Sequence, residues 1–333
     1  MTDQYGREIE YLRVSVTDRC NLRCSYCMPE EGVEQVVHNE ILTYSEIARI
    51  CRICADKGVS KIKLTGGEPL VRKGISGLLY ELRQIDGIEQ ITLTTNGVLL
   101  AGQIEELAKA GLDAVNISLD TLEREQYAQI TRRDELGKAM EGLEAALKYP
   151  GIRVKVNCVA LQGVNETQWV PLAELAKNEP VDVRFIEMMP IGLGKSCAGS
   201  SQEEVCRVLK QAYGDPRFLS GSFGNGPAVY ASFPGFSGKI GFISAISHQF
   251  CGSCNRVRLT AEGLLKPCLQ YSKGADLRRL LRSGADDAKL DEVIGKVIFE
   301  KPRCHQFTLK RDERQGTENE GPLEGKQMSR IGG

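Results

Sequence analysis

The chain has 333 residues, 43 Lys and Arg against 44 Asp and Glu, and 12 Cys beside only 3 His. The net charge of −1 argues against a general nucleic-acid or membrane-surface binder, which carries a basic excess. No apolar run approaches the roughly 20 residues of a membrane span, the start MTDQYGREIE has no signal-peptide core, and HExxH is absent, so a cytoplasmic protein without His-based zinc catalysis is expected.

In chain order, strands are predicted over 11–17, 61–64, 90–94, 114–119, 153–159 and 181–186. Helical patterns lie between them over 45–57, 75–84, 102–109, 123–148 (as two helices) and 166–177, with another over 202–212. Gly58, Gly87 and Gly111 stand where left-handed helix ends belong. This alternation predicts βαβ units and a parallel sheet. Six units make most of a (β/α) barrel of the TIM type but not eight-fold closure; an open doubly wound sheet is the alternative. From about Ser220 the character changes. GSFGNGP reads as a linker, 228–233 and 239–246 as a hairpin, and 275–282 as a helix, while 311–325 reads as a mobile polar tail. The expected division is 1–225, the barrel, and 226–333, an α+β region.

Many cysteines without a secretory signal read as metal ligands or small buried apolar residues, not disulfides. Cys20-x3-Cys24-x2-Cys27 follows the first strand directly. Three thiolates leave one iron of a [4Fe-4S] cube without a protein ligand, whereas a tetrahedral zinc needs a distant fourth. The second strand runs into Gly66-Gly67-Glu68-Pro69, the third into TTNG (Thr94–Gly97), and the fourth into Asp120. All of these follow the C-terminal ends of strands, the catalytic face of a barrel. The Cys spacing, Tyr26 before the third Cys, and GGEP one βα unit later resemble the radical S-adenosylmethionine (SAM) superfamily. The resemblance implies that the open iron is chelated by the SAM amino and carboxylate groups. It further implies that the cluster cleaves SAM to a 5′-deoxyadenosyl radical, and that GGEP holds the SAM amino end.

A second set, Cys251-x2-Cys254 with Cys268, lies some 230 residues later. Spacing alone leaves a zinc knuckle open, with His248 nearby as a fourth ligand. The segment FCGSCNRVRLTAEGLLKPCL, together with the terminal Gly332-Gly333, resembles the molybdenum cofactor biosynthesis protein A family, the GTP 3′,8-cyclases. That resemblance runs from LRVSVTDRCNLRCSYCMP to the final IGG. It implies a second [4Fe-4S] cluster whose open iron faces the nucleotide base, and a Gly pair inserted toward the active site.

Buried parallel strands are ordinarily apolar on both faces. Here alternation places Arg13, Ser15 and Thr17 opposite Leu12, Val14 and Val16, and Lys61, Lys63 and Thr65 opposite Ile62 and Leu64. Thr92 and Thr94, Asn116 and Ser118, Lys155 and Asn157, and Asp182 and Arg184 form similar polar faces. If they converge, inward cations predict an anionic ligand such as a nucleoside triphosphate; the bland alternative is strand ends paired with Asp or Glu. By the family resemblance, GTP contacts map to Arg13, Lys63, Thr94, Lys155, Arg184, Arg256 and Arg258. SAM contacts map to Tyr26, Gly66, Gly67, Glu68, Ser118 and Met189. Catalytic weight falls on Cys20, Cys24 and Cys27 with Arg256 and Arg258. Lys63 departs from the family's usual Arg, keeping the charge but losing the bidentate fork.

GLGKS (Gly192–Ser196) lacks the first glycine of a P-loop, and Cys51 and Cys54 share a helix face as core residues. The expected function is a radical SAM GTP 3′,8-cyclase that opens molybdenum cofactor biosynthesis. Expected partners are GTP, an external electron donor, cyclic pyranopterin monophosphate synthase downstream, and a second copy in a homodimer, with no nucleic acid and no membrane. The alternatives are a radical SAM peptide or RNA modifier with an auxiliary cluster, and a zinc-dependent nucleic-acid-binding module.

Overall fold

The computed structural model describes residues 1–34, 36–221, 223–307 and 322–332. Strands and helices alternate through the first two thirds of the chain: β1 (Tyr11–Ser15), α1 (Tyr44–Asp56), β2 (Lys61–Thr65), α2 (Ile75–Arg83), β3 (Gln90–Thr95), α3 (Ile104–Lys109) and β4 (Ala114–Ser118). Then come α4 (Arg124–Thr131), α5 (Leu136–Leu147), β5 (Arg153–Ala160), α6 (Trp169–Asn178), β6 (Asp182–Glu187) and α7 (Gln202–Tyr213). The remainder holds β7 (Arg217–Leu219), β8 (Val229–Ser232), β9 (Ile240–Ile243), β10 (Arg256–Leu259), β11 (Leu264–Lys266), β12 (Ala275–Asp276), α8 (Leu277–Arg282) and α9 (Asp287–Phe299).

Local sequence explains the helix ends. Thr43 and Glu46 form a reciprocal capping box that starts α1, and Ser201 with Glu204 does the same for α7. Gly58 after α1 and Gly111 after α3 both take φ of +94°, a conformation costly for any residue with a Cβ. Cys51 and Cys54 lie on the buried face of α1 with Ile47 and Ile50, as core residues.

Strands β1 to β6 run parallel in sequence order. Strand β10 adds parallel to β1, and β9 adds parallel to β6. Antiparallel β11 and β12 extend one edge, and β8 and β7 the other, giving twelve strands among the described residues. The strands after residue 225 therefore lengthen the barrel sheet at both edges. Apolar alternates of the central strands, such as Leu12, Val14, Ile62, Leu64, Ile91 and Leu93, are fully buried under the helices. Each such side chain contributes roughly 1.5–3 kcal/mol.

The opposite face of the sheet is concave. Arg13 of β1, Lys63 of β2, Thr94 of β3, Ser118 of β4, Asn157 of β5, Arg184 of β6, Ile243 of β9 and Arg256 of β10 all line one cavity of about 350 Å³. A flat sheet cannot bring eight strands onto one cavity, so the architecture is an incomplete barrel and not the doubly wound alternative.

Of the polar tail expected over 311–325, residues 311–321 lie outside the described residues. The rest is docked, not mobile: Glu324 pairs with the fully buried Lys266, and its N–H donates to the Gln270 carbonyl at 2.6 Å. A buried lysine demands such a partner, which holds this segment down. Among the described residues no helix is long and apolar enough to cross a membrane.

Candidate active site

The chain leaves β1 and wraps into the loop that carries Cys20, Cys24 and Cys27, and all three thiols line the cavity. The end of α4 straps this loop: the N–H groups of Arg23 and Ser25 donate to the Thr131 and Ile130 carbonyls, each at 2.9 Å. Arg132, at φ +55°, sends its guanidinium to the Arg23 and Met28 carbonyls at 3.1 and 3.0 Å, bracketing the last two cysteines. Burial pushes the Cys20 thiol up to about 11 and that of Cys27 to about 12, with Cys24 well above the ordinary range. Thiols so placed ionise only against a strong positive charge, which is what a metal centre provides.

Gly66 and Gly67 lie against the same loop. Their N-terminal neighbours in space are its backbone: Gly67 N–H donates to the Thr17 carbonyl at 2.8 Å, and Glu68 N–H to that of Arg19 at 2.7 Å. A Cβ added at Gly67 would lie 2.4 Å from the Arg19 oxygen, so no other residue fits there. Glu68 accepts from Thr95 Oγ1 at 2.7 Å, Leu70 N–H at 3.0 Å and Asn96 N–H at 2.7 Å. It therefore ties the loop after β2 to the loop after β3; burial raises its pKa to about 7. Tyr26 donates to Asp120 Oδ2 at 2.7 Å, and burial raises Asp120 to about 6. Ser118 and Met189 complete this end of the cavity.

Cys251, Cys254 and Cys268 line the same cavity from the β10 side. Burial opposes the Cys254 thiolate, but Lys301 and Arg256 outweigh it and draw the thiol down to about 6. Lys301 is itself buried, donating to the Arg256 and Pro267 carbonyls at 2.8 and 2.6 Å. Among the described residues no three His, Cys, Asp or Glu are arranged to hold a single metal ion. A cube has a different requirement, since each thiolate binds a different iron. His248 is exposed, with Nε2 facing Glu203 at 3.5 Å; the histidine that lines the cavity is His305.

Arg7 anchors this second set from the far end of the chain. Paired with Asp3 at 2.5 Å, it donates to the carbonyls of Cys251 (2.8 Å), Pro302 (2.7 Å) and Arg303 (2.9 Å). Arg7→Ala leaves these buried carbonyls without donors and Asp3 without its cation. The expected result is protein with about four iron per chain in place of about eight, still able to cleave SAM; iron assay and 5′-deoxyadenosine release check both.

The cations converge by register. Arg13 lies level with Lys63 on β2 and with Arg258 on β10, and Tyr11 with Arg256. Burial lowers the pKa of Lys63 far below the lysine range, with Arg184, Arg13, Lys155 and Arg256 adding repulsion. Arg258 is lowered in the same way by burial, Arg13 and Arg256.

Two family models match the chain: the radical SAM superfamily over residues 14–176, and molybdenum cofactor synthesis C over 181–307. A GTP 3′,8-cyclase of Clostridium perfringens (strain SM101) is 46% identical over 313 residues, covering 93% of this chain and 96% of that protein. One from Pelotomaculum thermopropionicum is 45% identical with 100% of both chains covered. The chain belongs to the GTP 3′,8-cyclase family. Among solved structures, Streptococcus suis SuiB bound to its precursor peptide SuiA superposes with a TM-score of 0.59 at 16% identity, over 87% of this chain and 67% of SuiB. At that identity the likeness shows the shared fold alone.

Within this family member, most residues expected to hold nucleotide share the main cavity: Arg13, Lys63, Thr94, Arg184, Arg256 and Arg258. Lys155 does not. It lines a smaller cavity of about 30 Å³ at the barrel floor, next to Lys63 and Arg184. Its Nζ is held by Asp182 at 3.2 Å, the Phe223 carbonyl at 2.6 Å and Tyr230 Oη at 2.9 Å. Lys61, on the same face of β2 as Lys63, is a strand-end residue paired with Glu10 at 2.5 Å. The terminal segment enters the barrel: the Gly332 carbonyl accepts from Arg258 Nη1 at 3.0 Å, and a Cβ there would lie 3.1 Å from that of Ser15. Gly333 lies outside the described residues. Sequence reasoning missed Lys301, His305 and Ser329 as lining residues. No local motif marks them; only the docking of the C-terminal segments brings them in.

Proposed function

We propose that the chain is a radical SAM GTP 3′,8-cyclase that converts GTP to (8S)-3′,8-cyclo-7,8-dihydroguanosine 5′-triphosphate, the first step of molybdenum cofactor (molybdopterin) biosynthesis. One observation carries the reading: two sets of three cysteines and a group of buried and half-buried cations share a single cavity. Family membership supports the same reaction. The residues fit two [4Fe-4S] clusters and SAM, because each set offers three thiols, one fewer than a closed tetrahedral site takes. Cys20, Cys24 and Cys27 hold the first cluster, and Cys251, Cys254 and Cys268 the second. When bound, the first cluster and SAM would supply the radical chemistry that joins ribose C3′ to guanine C8.

The chain's own residues bind and orient. Tyr26, Gly66, Gly67, Ser118 and Met189 line the SAM end, and Glu68 acts by fixing the Gly66–Gly67 turn, its oxygens being taken by three donors. Arg13, Lys63, Thr94 and Arg184 take the triphosphate, since an anion offsets the cations gathered there, and Lys155, itself paired with Asp182, adds its charge from the smaller cavity at the floor. Arg256 and Arg258 keep the base beside the second cysteine set. Enclosure by the barrel excludes water and oxygen, and no histidine general base is needed. An external electron donor, cyclic pyranopterin monophosphate synthase as the next enzyme, a homodimer and a cytoplasmic location belong to the same proposal, as does the division into 1–225 and 226–333. Sedimentation at the monomer mass would refute the dimer.

The test is anaerobic protein with reductant, SAM and either GTP or a peptide. GTP-stimulated release of 5′-deoxyadenosine together with a cyclised nucleotide by mass spectrometry is expected. Release stimulated by peptide but not by GTP would overturn the substrate.

A further inference from the structure

Among the described residues three lysines are buried, and two of them show how the fold settles a buried cation. Lys155 is paired with Asp182 at 3.2 Å, and Lys266 with Glu324. Lys301, only 2% exposed, makes no ion pair with a carboxylate among the described residues. Its ammonium donates instead to two carbonyls, those of Arg256 at 2.8 Å and Pro267 at 2.6 Å. Carbonyls satisfy the donors but leave the charge uncompensated, and a buried charge needs an opposite one.

The second cysteine set is where that anion belongs. Arg256 closely follows Cys254 and Pro267 directly precedes Cys268, so both carbonyls lie on the segments that carry these thiols. Lys301 lines the same cavity as both cysteines, and its attraction helps to draw the Cys254 thiol down. On the functional reading above, three thiolates around a [4Fe-4S] core carry net negative charge, which grows by one on reduction. Arg256 also faces this set, with Nη2 3.9 Å from Cys254 Sγ, but its head group lies over the Phe250 ring and on that reading meets the nucleotide. The Lys301 ammonium is fixed to backbone on two segments, so its charge does not move with substrate.

We propose that Lys301 is a positioning residue acting through the second cluster, as the fixed counter-charge that raises its reduction potential. A fixed cation favours the reduced, more negative form, since net charge and hydrogen bonds around the sulfurs set such potentials. At an effective protein dielectric of about 20, one unit charge within about 12 Å shifts a one-electron equilibrium about tenfold, which is about 59 mV. The inference rests on the functional reading above, which puts a cluster on Cys251, Cys254 and Cys268.

The test is an EPR-monitored redox titration, with dithionite and mediators, of anaerobic full-length protein carrying both clusters. Cys20→Ala, which loses the first cluster, identifies the signal of the second. Lys301→Gln keeps an N–H donor without the charge, Lys301→Met removes both, and Lys301→Arg keeps the charge. The Gln and Met variants are expected to make the second cluster about tenfold harder to reduce at a given applied potential. The first cluster's signal should stay where it was, and Lys301→Arg should restore the second. Loss of the second cluster from the Gln and Met variants but not from the Arg variant likewise assigns the role to charge. An unchanged potential in the Gln or Met variant, or the same shift or loss in Arg as in Met, makes Lys301 a backbone tie and overturns the inference. Wild-type protein with about four iron per chain and no second signal sinks the functional reading instead, so the two failures are distinguishable.

Discussion

Replacing Cys20 or Cys24 by Ala is expected to abolish SAM cleavage, whereas replacing Cys268 by Ala spares cleavage and removes nucleotide cyclisation. Both thiol sets line one cavity, but they sit on different structural supports. The first is strapped by α4 through the Thr131 and Ile130 carbonyls and by Arg132. The second is held by Arg7 and Lys301. Because the supports are separate, losing one thiol empties its own site and leaves the other assembled. Outer-shell changes around metal ligands already cost about 10–100-fold, so loss of a ligand should lower the affected activity by more than about 100-fold. Both variants should hold about four iron per chain. The discriminating readouts are 5′-deoxyadenosine release and cyclised nucleotide, assayed anaerobically on each. GTP cyclisation retained in Cys268→Ala would refute a role for the second set.

Much of this arrangement was legible before any coordinates. Period-two alternation separated Leu12 and Val14 from Arg13 and Ser15, and the structure buries the first pair under helices while Arg13 turns into the cavity. The six barrel strands fall within one or two residues of their expected ends because Gly and polar turns punctuate each unit. The four-residue strands β8 and β9 were legible as a hairpin, but β7, β10, β11 and β12 were missed, being short and without a paired turn signal. Helix α9 was missed although Asp286 caps it and Leu290, Ile294 and Ile298 repeat every four residues, a pattern passed over beside the polar tail. Arg7 and Lys301 carry no local signature at all. Their partners are backbone carbonyls far away in sequence, and such contacts exist only once the fold has formed. Lys155 is the converse case: its alternation is correct, but strand register sets it one layer below the main cavity, opposite Asn116 and Asp182.

Lys63 is the residue at which stability and binding should move in opposite directions. Its side chain is half-buried at the cavity wall beside Arg13, Arg184, Lys155 and Arg256, and the Tyr11 ring lies 6.0 Å from its ammonium. Keeping a cation there without a ligand costs free energy, because desolvation and like charges both oppose it. Lys63→Met keeps much of the volume and removes the charge. The ligand-free protein should become more stable to urea by about 1–2 kcal/mol. Triphosphate affinity should fall by about 10–100-fold, the range of a charge-assisted hydrogen bond. Lys63→Arg should instead tighten GTP by a few-fold, since the planar fork engages phosphate oxygens in pairs. Anaerobic calorimetry with GTP and a urea titration of the ligand-free protein measure both effects on one preparation. A Met variant that is less stable and binds GTP normally would make Lys63 a structural cation held by Tyr11. Opposite signs would identify it as a residue whose burial is tolerated for the sake of the anion it receives, as expected where a site is built against the stability of its own fold.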